Sequence, residues 1–148
     1  MNKINANQRC ELRVLGAWSG NGYEPPTPIK PKHPDYIENI QPNRITDEQY
    51  REAFEWADIV LLPYNEIGSS SGVLLEAMAS GRPVVAADIG VKHAMIRQYG
   101  GGKLYKPFDG HAFLAAIDSA ITEYPLVANR EELITTHSMT TFAKVLLK

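Results

Sequence analysis

The sequence has few of the features that would place it in a specialised class of protein. Its 148 residues include one cysteine, Cys10, which cannot form an internal disulfide, so a reducing cytoplasm is the compartment that we expect. No apolar run approaches the roughly 20 residues that a membrane-spanning helix needs. The N-terminus lacks the basic, apolar and small-residue regions of a secretory signal.

Charge and histidine spacing argue against three further kinds of ligand: nucleic acid, an anionic membrane and a metal ion. The formal net charge is −2 and no block of lysine or arginine is present, which leaves little to bind a nucleic-acid backbone or an anionic membrane. The four histidines are scattered at spacings unlike those of metal ligands, so we interpret them as surface or packing residues. We therefore expect no metal site and no cofactor.

The length predicts a single domain over residues 1–148. The two halves of the chain differ in how regular their sequence pattern is. A tail over 1–11 leads into "LRVLGAW" (12–18), a short apolar run that predicts a buried strand. Residues 19–46 form a region rich in proline and glycine that predicts an ordered surface loop, with "YIENI" as a short strand inside it.

From Thr46 onwards the pattern becomes regular. "TDEQYREAFEWA" predicts an amphipathic helix with Thr46 as its N-cap. The runs "DIVLLPY", "RPVVAAD" and "GKLYK" lack polar alternation, so both faces of each strand should be covered. The fold class is α/β, a doubly wound, Rossmann-like parallel sheet. The other helices are predicted from Gly72 to Ser80, over 91–98, over 109–123 and within a C-terminal helical segment, 128–148.

Ligands of such sheets bind beyond the carboxyl ends of the strands, where two loops are predicted. The loop in "YNEIGSSSG" opens a helix, and its accessible amides and the helix dipole favour an anion such as phosphate. The alternative is that one of its serines is only an N-cap. Lys92 and His93, after the second loop, are either phosphate or sugar contacts or surface residues.

Glu76 is the one carboxylate in this helix. Its neighbours are apolar, so the helix should be buried nearly all round, and the carboxylate should be paired or face a cleft. A salt bridge to Arg82 or Arg97 is one interpretation. We favour an acceptor for two sugar hydroxyls, because Gly72 and Ser80 leave room on the same face.

The segment "ADIVLLPYNEIGSSSGVLLEAMASGRPVVAADIG" resembles the donor-binding, C-terminal half of GT-B-fold glycosyltransferases of the large retaining class called family four. By this resemblance the chain is half of a GT-B architecture that binds a nucleotide diphosphate sugar. Glu76 would then hold the ribose hydroxyls. Main-chain amides of Ser69, Ser70, Ser71, Gly72 and Val73 would line the diphosphate, and Asn43, Arg44 and Ile45 would lie near the base.

Three departures from the family limit the mechanism that the resemblance implies. The first acid of its paired-glutamate motif falls on Gly68, with Glu66 two residues earlier as a possible donor-sugar contact. The segment 19–34 replaces an expected helix. We expect these 148 residues to supply neither the family's upstream arginine and lysine nor its acceptor-binding domain.

The expected function is therefore donor binding for transfer of a hexose, with retention, to an unknown acceptor. The chain alone should be inactive and should need a companion acceptor domain. Two alternatives stay open: the donor half of a nucleotide-sugar epimerase, and a non-catalytic module that binds a partner or associates with itself through a homo-oligomeric interface.

Overall fold

The computed structural model describes residues 10–15, 36–41, 44–65 and 72–138. The chain divides into two compact units, Met1–Ala53 and Phe54–Lys148. The change of character near residue 46 in the sequence thus lies close to the boundary between the units. That the whole chain folds as a single domain stays a prediction.

The described part of the first unit contains two parallel strands. β1 (Cys10–Leu15) pairs with β2 (Tyr36–Gln41), with Cys10 opposite Tyr36. β1 begins two residues before the predicted strand, inside the predicted tail, and β2 confirms the strand "YIENI". The remainder of the predicted tail and the segment 19–34 lie outside the described residues.

Thr46 caps helix α1 (Asp47–Trp56), as the sequence predicts, and the structure shows that the cap is reciprocal. The Thr46 hydroxyl accepts a hydrogen bond from the Gln49 amide at 3.2 Å, and the Gln49 side chain accepts one from the Thr46 amide at 2.9 Å. Each bond satisfies a donor that the first turn of a helix leaves unpaired. The negative charges of Asp47 and Glu48 in this turn interact favourably with the helix dipole.

The second unit alternates strands and helices. In its described residues the strands β3 (Val60–Leu62), β4 (Val84–Ala87) and β5 (Gly102–Tyr105) are parallel and adjacent in this order, which confirms the predicted α/β class. No helix in the described ranges is long and apolar enough to cross a membrane. The elements are β3 (Val60–Leu62), α2 (Gly72–Ala79), β4 (Val84–Ala87), α3 (Gly90–Tyr99), β5 (Gly102–Tyr105), α4 (Gly110–Thr122) and α5 (Arg130–His137).

Helices cover both faces of this sheet, as the continuous apolar strands predict. Every residue of β4 is fully buried. On one face α2, α3 and α5 contribute Leu74, Ile96 and Leu133 to the core. On the other face α4 contributes Ala116 and Ala120. α5 confirms the first part of the predicted C-terminal helical segment, whereas residues 139–148 lie outside the described ranges.

A glycine turn between α3 and β5 allows the chain to pass close to another segment. Gly101 has φ of +75°, a conformation that side chains disfavour. A Cβ added there would lie 2.6 Å from the Cβ of Ala128 and 2.9 Å from its backbone nitrogen. The turn therefore requires glycine for both its backbone conformation and its packing.

We expect Gly101→Ala to lower the free energy of unfolding by about 3 kcal/mol, since backbone strain and overlap with Ala128 add together. Gly110→Ala is the matched control, because an added Cβ meets nothing within 4 Å at this first position of α4. It should leave stability unchanged or raise it by about 0.5 kcal/mol. Urea denaturation of both variants measures the difference, and equal stabilities would contradict this account of the turn.

Phe108 is held in an unfavourable conformation in the loop between β5 and α4. It has φ of 61°, and 84% of its surface is exposed. Its amide donates a hydrogen bond to the Asn65 side-chain oxygen at 3.3 Å, beyond the end of β3. The left-handed backbone and the exposed ring are both unfavourable for the isolated unit.

Phe108→Asn should raise the free energy of unfolding by about 0.5 to 1 kcal/mol, because asparagine adopts the left-handed conformation more readily than phenylalanine. The control is Leu114→Asn, which also removes an exposed apolar side chain but from the interior of α4. This control should lose about 0.5 kcal/mol, since asparagine is a weak helix former. Thermal unfolding of the two variants distinguishes them, and a loss of stability in Phe108→Asn would show that the ring contributes to folding.

Candidate functional site

The carboxyl ends of the three parallel strands form one edge of the second unit. β3, β4 and β5 end at Leu62, Ala87 and Tyr105, and each leads towards the N-terminus of a helix. This is the edge at which open parallel sheets bind ligands. We call it the carboxyl edge.

Helix α2 buries one side and exposes the other. Leu74, Ala77 and Met78 are buried against the sheet. Gly72, Glu76 and Ser80 follow one another at intervals of four residues, and all three are exposed. The prediction that this helix is buried nearly all round was therefore wrong, because its small and polar residues share one face. We call Gly72, Glu76 and Ser80 the α2 ridge.

Among the described residues, nothing crowds the N-terminal end of the α2 ridge. A Cβ added to Gly72 would meet no atom of these residues within 4 Å. Val73 is half-buried beside it. Amides in the first turn of a helix have no partner within the helix, and the helix dipole favours a negative charge near them. The structure thus places a helix start, open space and a carboxylate one turn later on a single exposed face.

The Glu76 carboxylate has no hydrogen-bond or ion-pair partner within the described parts of the chain, although its main-chain carbonyl accepts a hydrogen bond from the Ser80 amide at 2.8 Å. The Arg82 guanidinium donates instead to the Glu55 carbonyl at 3.0 Å. The salt bridge to Arg82 or Arg97 that the sequence allowed is therefore not formed. The carboxylate remains available to accept hydrogen bonds from another molecule.

The other predicted site residues stay predictions. Glu66, Gly68 and the serines 69–71 lie outside the described residues, as does Asn43. Arg44 is exposed and Ile45 is half-buried, directly before α1 in the first unit. Arg44 and Ile45, which were predicted to lie near the nucleotide base, belong to the first unit, whereas Glu76 belongs to the second.

The chain segments that follow β3 and β5 are linked at the carboxyl edge. Asn65 donates to the Pro63 carbonyl at 3.4 Å and accepts from the Phe108 amide at 3.3 Å. Asn65 lies at the start of the predicted phosphate loop "YNEIGSSSG". This bridge has no signal in the sequence, because its two residues are separated by 43 positions.

The segment after β4 carries two more polar side chains. Asp88 and His93 form an ion-pair contact through the imidazole Nδ1, and both are substantially exposed. Lys92 is buried, so its interpretation as a surface residue was wrong. In the described ranges, no three histidine, cysteine, aspartate or glutamate side chains are grouped as metal ligands would be.

Comparison with known proteins identifies the family of the chain. The chain is similar to a D-inositol 3-phosphate glycosyltransferase of Geodermatophilus obscurus, with 31% identity over 126 residues. These residues cover 81% of the chain and 27% of that relative, so the chain spans about a quarter of the relative's length. The family described as Glycosyl transferases group 1 matches residues 1–123. This match covers most of the chain and includes α2 and the five strands of the described residues. The chain therefore belongs to the group 1 glycosyltransferase family.

Proposed function

We propose that this chain is the donor-binding part of a retaining glycosyltransferase and binds a nucleotide diphosphate sugar. In the whole enzyme, which would need an acceptor-binding domain, a hexose would pass to an acceptor hydroxyl. The observation that carries the proposal is the α2 ridge, where Gly72 and Glu76 face solvent from a helix whose other side is core. Membership of the family supports the same reaction class.

The α2 ridge has the chemistry to bind both parts of a nucleotide diphosphate. First-turn amides of α2, at Gly72 and Val73, would donate to the diphosphate, whose charge the helix dipole favours. Glu76, one turn further, would accept hydrogen bonds from two adjacent ribose hydroxyls. Ser69, Ser70 and Ser71 would extend the phosphate contact, and Glu66 would reach the donor sugar.

Catalysis requires that the departing diphosphate be stabilised while the acceptor is held against the anomeric carbon. This chain's amides would bind the leaving group and Glu76 would orient the nucleotide. The proposed mechanism relies on amide dipoles for the diphosphate and requires no metal ion or cofactor.

Calorimetric titration with UDP-, GDP- and ADP-sugars tests the proposal. We expect the wild-type chain to bind one base class, and Glu76→Ala to weaken that binding by about 2 kcal/mol, since hydrogen bonds to a charged group are lost. Glu131→Ala is the matched control, because Glu131 is another exposed helical glutamate, in the first turn of α5. It should bind as the wild type does.

Each remaining outcome has a distinct meaning. Equal binding by Glu76→Ala and the wild type would contradict the role of Glu76 in the ribose contact. No binding by a folded wild-type chain would reject autonomous donor binding and favour the partner-binding module. Binding of a nucleotide sugar together with inversion at a sugar carbon, in the presence of the remaining domain, would identify an epimerase.

A further inference from the structure

Lys92 occupies a position where the sequence pattern calls for an apolar side chain. The buried residues of α3 are Lys92, Met95, Ile96 and Tyr99, a spacing that defines the core-facing stripe of a helix. Only 2% of the Lys92 surface is exposed, and among the described residues no other charged side chain is buried to this degree. Lys92 therefore places an ammonium group at the first position of a stripe whose other side chains are largely apolar.

The contacts of Lys92 lead across the carboxyl edge to β3. Its Nζ donates to the Tyr64 carbonyl at 2.9 Å and lies 4.4 Å from the centre of the Tyr64 ring. Tyr64 is two residues beyond the end of β3, whereas Lys92 is in the first turn of α3, after β4. One side chain thus fixes the exit of β3 relative to the start of the helix that follows the neighbouring strand.

Stability alone does not account for a lysine at this position. Removing an ammonium from water is costly, and apolar side chains of similar size are often as stable as a buried charge or more so. Methionine has a similar length and already serves the same stripe at Met95. The charge therefore needs a reason other than packing.

The location of Lys92 provides such a reason. Tyr64 and Asn65 lead directly into the segment that precedes α2, and the Asn65 side chain already bridges to Phe108. A positive charge in a poorly hydrated site is screened less than one at the surface, so its field acts on an anion at the same edge. The negative charge of a nucleotide diphosphate is on its diphosphate group, which the proposed function places at the carboxyl edge.

We infer that Lys92 is a positioning residue of the donor site: it holds the Tyr64 carbonyl and ring where β3 ends, and its charge favours a diphosphate at the carboxyl edge. The inference rests on the proposed function for the ligand, but the positioning of Tyr64 can be tested without one. Lys92 itself does not contact the ligand. Its effect passes through Tyr64 and through the electrostatic potential.

The test compares Lys92→Met with the wild-type chain and with Lys103→Met. Lys103 is a suitable control because its ammonium also makes a specific contact, to Glu123, but at β5 and α4. The probes are the nucleoside monophosphate and diphosphate of the base that the wild-type chain prefers. Thermal unfolding, hydrogen exchange of amides near Tyr64 and in the first turn of α2, and calorimetry are measured on all three proteins.

We expect Lys92→Met to unfold within about 3 °C of the wild type, since methionine fits the apolar stripe. Exchange near Tyr64 should become at least about fivefold faster, because the carbonyl loses its partner. The preference for diphosphate over monophosphate should fall about tenfold, because a buried charge near the anion is removed. Lys103→Met should retain the wild-type exchange and preference.

Three results would overturn the inference. Unchanged exchange near Tyr64 would show that Lys92 does not position it. An equal loss of affinity for both nucleotides would indicate a general structural effect without the electrostatic one. Failure of Lys92→Met to fold would show that the core itself requires the lysine. If the wild-type chain binds neither nucleotide, the proposed function fails, and the exchange result still decides the positioning role.

Discussion

The complete burial of β4 is the constraint on which the second unit depends. Its four side chains alternate between the two faces of the sheet, and each face is covered by helices. A strand buried on both sides cannot slip by one residue without exchanging the side chains of the two cores. The register of β4 therefore fixes where the neighbouring strands end, and the carboxyl edge is a consequence of that register.

The orientation of the α2 ridge follows from the same core. Leu74 and Met78 are fully buried, and together they fix the rotation of α2 about its axis. The residues at Gly72 and Glu76 must then face away from the sheet, because they lie on the opposite side of a helix with 3.6 residues per turn. Packing thus sets the direction of the proposed ligand contacts without any polar interaction at the site.

The sequence predicted the features that depend on local pattern. The apolar runs without alternation indicated a sheet covered on both faces, and the reciprocal cap of α1 follows from Thr46 and its neighbours. The exposure of Glu76 was harder to predict, since an apolar eight-residue helix gives no indication of which side meets the sheet. The burial of Lys92 depends on a carbonyl 28 residues away, which no local pattern records.

Phe108 also depends on a contact that no local pattern records. Its positive φ accompanies a hydrogen bond to Asn65, a contact between two loops that only the folded sheet brings together. Aromatic residues are common in cores, so its sequence context gave no reason to expect an exposed ring. At Phe108, tertiary contacts across the carboxyl edge accompany a backbone conformation that phenylalanine disfavours on its own.

Helix α5 extends the structural unit beyond the region of family similarity, which ends at residue 123. Leu133 is fully buried, and the Arg130 guanidinium donates to the Ala79 carbonyl at 2.8 Å, at the end of α2. A boundary drawn from similarity alone would therefore remove part of the core and leave apolar surface of α2 and α3 uncovered. The smallest autonomous piece of this unit is defined by its packing and must reach at least His137.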